Sequence, residues 1–121
     1  MLPRLSNVPQ LNNVVSDYLS ELQKQHFEGD IASNYADRLS LATDNSVYQQ
    51  LPQAILFPKS VADVVRIAKL ANKEKYLHLT FTPRGGGTGT NGQSINNNII
   101  VDLSRHMTGI LELNIEERWV R

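Results

Sequence analysis

Five of the seven glycines in this 121-residue chain fall between residues 85 and 92, inside the run PRGGGTGTNGQ (83–93). A segment so composed is a poor helix and a poor strand, because each glycine loses more conformational freedom on ordering than any other residue. What it does form well is a loop whose successive N–H groups stay clear of side chains, a concave nest for an anion. Arg84 beside it and the hydroxyls of Thr88 and Thr90 suit phosphate or pyrophosphate. The competing reading is a hairpin loop that needs glycine only to turn, and a turn seldom needs five.

Two nucleotide-binding loops fail on their details. No lysine follows the glycines, which excludes G-x-x-x-x-G-K-[ST]. Gly87-Thr-Gly-Thr-Asn-Gly92 fits G-x-G-x-x-G, and Glu112 lies about twenty residues on, but that fingerprint requires a helix opening inside the motif with its N-terminus facing the pyrophosphate. Here QSINNN (93–98) leads into a strand after too few residues for a helix. The loop is therefore expected to be extended, to follow a strand over 77–82, and to contain no helix before Ile99.

The flanking segments read as alternating strands and helices. Ala-Ile-Leu-Phe (54–57) is a short apolar run closed by Pro58, and Ser60-Val-Ala-Asp63 has the form of a capping box, so a helix should begin at Val61. Val61, Val64, Val65, Ile67, Ala68 and Ala71 give that helix an apolar face, with Arg66, Lys69 and Lys73 on the wet side and an end within 72–76. With LHLTFT (77–82) as the next strand, this completes a β-α-β unit of the kind that crosses over right-handed between parallel strands. Downstream come a turn at 96–98, a buried strand at 99–103, a turn at 104–108, a strand at 110–113, a tight turn at 114–117 and the start of a strand at Trp119. A domain rarely ends in the first residues of a strand, so the chain reads as a piece of something longer. Upstream, Leu11, Val14, Val15, Tyr18, Leu19 and Leu22 share one helical face, with Pro9 suited to the first turn and Gly29 to the exit. A short helix over 33–39 then leads into LATDNSVYQQLP (41–52), a loop too polar for a core, which something must order.

Twelve basic against twelve acidic residues give zero formal charge, so there is no global field for a phosphate polymer, and nucleic acid is not an expected partner. Zero cysteines exclude disulfides, thiolate metal sites and thiol catalysis in this segment. The N-terminus lacks the apolar run of a signal peptide, and nothing approaches the ~18 apolar residues of a transmembrane segment, so a soluble, cytoplasmic protein is expected. His26, His78 and His106 are scattered without ligand spacing, and no metal site is assigned.

Taken in order, AILFPKSVADVVRIAKLANKEK (54–75), TPRGGGTGTNG (82–92) and IIVDLSRHMTGILELN (99–114) resemble the opening of the FAD-binding domain shared by vanillyl-alcohol oxidase and p-cresol methylhydroxylase type flavoproteins, the PCMH-type fold. The likeness is greatest to the D-lactate, glycolate and D-2-hydroxyglutarate dehydrogenase branch, and TDNSVYQQLP (43–52) extends it upstream. The resemblance implies an α/β (α+β) chain: an N-terminal helical extension and polar loop over 1–50, then over 51–121 the first, pyrophosphate-binding part of a PCMH-type domain, truncated at its C-terminus. It implies FAD held through Pro83, Arg84, Gly85, Gly86, Gly87, Thr88 and Gly89, with Thr90, Asn91 and Gln93 as neighbours. No histidine lies in or beside the glycine loop, so FAD is expected to be noncovalent, and weakly bound or absent in this segment alone. The implied activity of the full-length protein is oxidation of a small D-2-hydroxy acid, by proton removal from the hydroxyl and hydride transfer from the α-carbon to flavin N5. The isoalloxazine pocket and substrate domain would lie beyond residue 121, so no catalytic residue is assigned. Asp44, Ser46 and Tyr48 match a polar motif read as a structural latch rather than a flavin contact, and Arg105 and His106 follow a D-L-S motif that normally packs near the cofactor loop. The alternative is a nonenzymatic nucleotide- or phosphate-binding module built on the glycine nest.

Overall fold

The computed structural model describes residues 10–121, so the reading of Pro9 lies outside the described residues. Helix α1 (Asn13–Lys24) starts where the Asn12 side chain accepts the Val14 N–H at 2.9 Å, and it buries Val15, Tyr18, Leu19 and Leu22, as their spacing anticipates. Its exit differs from expectation. The chain turns at His26, with φ of 59°, rather than at Gly29. Gly29 is required for a different reason, since a Cβ there would lie 2.3 Å from the Phe57 carbonyl oxygen.

That close approach begins a strand the sequence did not reveal, β1 (Asp30–Ala32), followed by α2 (Tyr35–Ser40), which Asn34 caps by accepting the Asp37 N–H. β1 runs antiparallel to β2 (Ala54–Phe57), with Asp30 opposite Phe57. β2 is parallel to β4 (Ile99–Asp102), and β4 to β3 (Phe81–Arg84), giving the sheet order β1-β2-β4-β3. The β-α-β unit of β2, α3 (Val61–Ala71) and β3 is therefore present, with β4 inserted between its two strands.

The strand expected over 77–82 begins later. A 3₁₀ turn (Glu74–Tyr76) carries the chain into Leu77, which is 63% exposed, and the Leu79 N–H bonds back to the Tyr76 carbonyl. Pairing starts at Phe81 and takes in Pro83 and Arg84, two residues expected in the loop. Pro83 is tolerated because β3 is a sheet edge, where the missing N–H is not asked for by a neighbouring strand.

Successive residues of β2 and β4 point to opposite faces, and both faces are covered, which is why each strand is buried throughout. Ala54, Leu56, Ile99 and Val101 join Tyr18, Leu22, Ile67, Leu70 and Tyr76 under α1 and α3, while Ile55, Phe57 and Ile100 pack with Ala32 on the other side. The apolar face of α3 is displaced from the expected one: Val61 and Val65 are 69% and 43% exposed, and Leu70, not anticipated, is buried. At its head the Ser60 hydroxyl accepts the Asp63 N–H at 3.3 Å. The Asp63 carboxylate, fully buried, reaches past the Ser60 amide to accept N–H bonds from Lys59 and Glu28, each at 3.0 Å, and is paired with Arg66. Burial alone would raise its pKa, but those bonds outweigh it and hold the carboxyl below its ordinary value. The tail forms a separate hairpin of β5 (Leu113–Asn114) and β6 (Trp119–Val120). The strand expected over 110–113 forms late: regular strand begins at Leu113, Glu112 exchanges backbone bonds with Arg121 in the same register, and Ile110 and Leu111 are left exposed, with Trp119 at the surface.

Candidate functional site

Because β2, β4 and β3 are parallel, Phe57, Asp102 and Arg84 all end at one edge of the sheet, and the glycine loop leaves from there. No helix forms between Arg84 and Ile99, as the sequence leads one to expect. The glycines of the loop serve different ends. Only Gly87 (φ 66°) and Gly92 (φ 75°) adopt positive φ. A Cβ on Gly87 would lie 2.3 Å from Arg84 Nη2, so the guanidinium packs directly against that backbone; on Gly89 it would meet the Gln93 side chain, and on Gly92 the Tyr48 ring. At Gly85 it would meet nothing within 4 Å, and at Gly86 only Thr88 Cγ2 at 3.5 Å. These two glycines leave open space in front of the backbone. Among the described residues, no acceptor meets the amides of residues 86–90, whereas the Asn91 amide is taken by Gln93 Oε1 at 2.9 Å.

The polar segment after α2 docks onto this loop and is ordered by it. Arg84 Nη1 donates to the Thr43 carbonyl at 2.9 Å, the Asn45 N–H donates to the Gly87 carbonyl at 3.1 Å, and the Ser94 hydroxyl donates to Asp44 Oδ2 at 3.2 Å. Asp44 Oδ1 accepts from the amide and hydroxyl of Ser46, and the Tyr48 amide donates to Ser46 Oγ. The Ser46 hydroxyl is the main reason the Asp44 carboxyl titrates below its ordinary value, with Ser94 adding to it against the opposing effect of burial. Between segment and loop lies a polar cavity of about 360 Å³, walled by Ser40, Thr43, Asp44 and Asn45 on one side and by Arg84, Gly87 and Thr88 on the other.

Of the residues singled out in the sequence, the cavity thus gathers Arg84, Gly87 and Thr88, with Gly85 and Gly86 between them in the chain. Thr90 and Asn91 lie further along the loop, Gln93 folds back over it, and Pro83 lines a different, apolar groove of about 450 Å³ with Val64, Ile67, Leu79 and Val101. Ser40, Thr43 and Asn45 were missed as wall residues. Thr43 and Asn45 were signalled only by a polar stretch that needed something to order it, and Ser40, at the end of α2, carried no signal. His106, whose sequence neighbours offer it no ligand spacing, has its Nε2 2.7 Å from Asp30 Oδ2, with Lys59 and Arg105 at 3.7 and 3.6 Å from the same carboxylate. The His106 bond, then the two cations, hold Asp30 below its ordinary pKa. This pair joins positions 76 apart and depends on β1, which the sequence concealed.

Free amides, an uncrowded backbone at Gly85 and Gly86, and a hydroxyl at Thr88 are what a diphosphate needs: several donors at fixed positions and no side chain in the way. The comparisons with known proteins agree. The family described as "FAD binding domain" matches residues 52–121. D-2-hydroxyglutarate dehydrogenase of Haemophilus influenzae is 78% identical over the whole chain, and that of Escherichia coli strain K12 is 58% identical; the chain spans 12% of the length of each. Among solved structures, alkyldihydroxyacetonephosphate synthase superposes with a TM-score of 0.72 at 18% identity, over 97% of this chain and 24% of that one. Physcomitrella patens BBE-like 1 gives 0.61 at 19% identity, over 83% and 21%. The solved structures support the fold, and the family covers more than half of the residues, the glycine loop included: this chain belongs to the FAD binding domain family, of the PCMH type that its motifs resemble.

Proposed function

We propose that this chain supplies the pyrophosphate-binding part of the FAD site in a flavin-dependent oxidoreductase acting on a small D-2-hydroxy acid, with 2-hydroxyglutarate the substrate suggested by the names of its relatives. The observation that carries the reading is the open backbone at Gly85 and Gly86, followed by amides without protein acceptors. Those amides and the Thr88 hydroxyl would hold the phosphate oxygens, Arg84 would brace the loop at Gly87, and Pro83, Gly89, Thr90, Asn91 and Gln93 would shape its two ends. FAD, when bound, supplies the electron acceptor for alcohol oxidation. The contribution of these residues is to place it and to exclude water from the phosphate contacts. Binding is noncovalent in this reading, so denaturation should release all flavin to the supernatant. Relatives named as dehydrogenases lend no support to a nonenzymatic phosphate-binding module.

The test is Gly86→Val in the full-length protein. A branched side chain at Gly86 would occupy the open space without displacing backbone, so the variant should fold and elute colourless. A variant purified with stoichiometric flavin would overturn the assignment of the loop.

A further inference from the structure

We infer that the segment Thr43 to Tyr48 is the second wall of the cofactor cradle, and that Asp44 is the positioning residue that holds this wall against the glycine loop. The inference rests on the FAD reading above and goes beyond it, because the glycine loop by itself accounts for phosphate binding without assigning this segment a part.

The segment is hydrogen-bonded to the loop at three points, Thr43 through Arg84, Asn45 through the Gly87 carbonyl and Asp44 through Ser94, and the Tyr48 ring lies against Gly92. Val47, at its outer bend, is 96% exposed, and Tyr48, which lies against Gly92, is itself 58% exposed, so apolar packing contributes little beside the polar bonds. Polar bonds set its position. The Asn45 contact also fixes the loop itself. In a trans peptide the C=O and N–H point in opposite directions, so a Gly87 carbonyl held by the Asn45 N–H also fixes the direction of the Thr88 N–H. Without that hold, a peptide next to a glycine is the one freest to rotate. Asp44 in turn sets Asn45. Its Oδ1 closes a turn over Ser46 and its Oδ2 is tied to Ser94, at the far end of the glycine loop. Asp44 stays ionised and would not itself hold a diphosphate; both of its oxygens are occupied by hydroxyl or amide donors of the protein. Asp44 thus acts as a strut between the two walls and not as a ligand.

The experiment is FAD titration of the deflavinated full-length protein, read by quenching of flavin fluorescence, alongside the thermal midpoint of each apoprotein. Asp44→Ala should raise the Kd for FAD at least tenfold with a midpoint close to that of the parent. Asp44→Asn, which still accepts from Ser46 and can bond Ser94 in the reverse sense, should restore most of the affinity. Ser94→Ala, which removes a single bond and leaves the Ser46 turn intact, should weaken binding about threefold and serves if Asp44→Ala does not fold. A Kd within twofold of the parent in both Asp44→Ala and Ser94→Ala, while Gly86→Val loses flavin, would overturn the strut and leave the glycine-loop reading standing. Retention of flavin by Gly86→Val as well would overturn both.

Discussion

At Gly86 and Gly87 one substitution should fail for two separate reasons. Valine at Gly86 meets only a methyl group at 3.5 Å, so apoprotein stability should be unchanged and flavin binding lost. Valine at Gly87 must hold a φ of 66° and displace the Arg84 guanidinium, so it should lower the stability of the apoprotein by at least about 1–2 kcal/mol in addition to losing flavin. Thermal midpoints of the two apoproteins, measured beside their visible flavin absorbance, check the distinction. The sequence could locate this cluster and its chemistry, because five closely spaced glycines after a strand have few other uses. It could not apportion roles among them, because whether a glycine serves positive φ, a neighbour's approach or a ligand's depends on atoms distant in the chain. Gly29 makes the same point: it reads as a helix exit, and its actual constraint is the Phe57 carbonyl.

Caps and ion networks join the elements, and their energetics are testable there. Ser60→Ala removes one N-cap bond of α3 and should cost about 1 kcal/mol. Asp63→Ala removes a buried carboxylate and leaves the part-buried amides of Lys59 and Glu28 and the Arg66 guanidinium without their acceptor, and should cost about 2–4 kcal/mol, read from denaturant unfolding of the apoprotein. Glu21 ties α1 to the 3₁₀ turn and its approach through Lys73, Lys75 and Tyr76, and these bonds lower its pKa to about 2. A lowered carboxyl pKa stabilises the fold fully above the ordinary value of 4.5, and that contribution is lost as pH falls through about 2. Glu21→Gln should therefore be less stable than the parent at neutral pH and converge with it in strong acid, a trend that acid-range thermal scans would show. Among the elements, β2 and β4 were legible as apolar runs and α3 by its cap. β1 was not, since three residues carry no period, and β3 was misplaced because Leu77 and Leu79 alternate like a strand while belonging to a turn.

For the molecule as a whole, the chain accounts for 12% of the length of its curated relatives, and the groove beside Pro83, Val64 and Val101 leaves apolar surface open between α3 and the sheet edge. Residues 1–121 expressed alone should bind FAD at least a hundredfold more weakly than the full-length protein, since the nest offers phosphate contacts without burying the ring system. Titration of both forms compares them directly. The order of the motifs made the family legible at this scale. The docking of residues 43–48 was not, because it depends on bonds reaching from 41 to 50 positions away. The most direct test of the account is a crystal structure of the full-length protein with FAD. It predicts pyrophosphate oxygens within about 3 Å of backbone amides in residues 85–90, facing the wall formed by residues 43–45. A pyrophosphate bound elsewhere, with the Gly85 and Gly86 backbone still open to solvent, would contradict it.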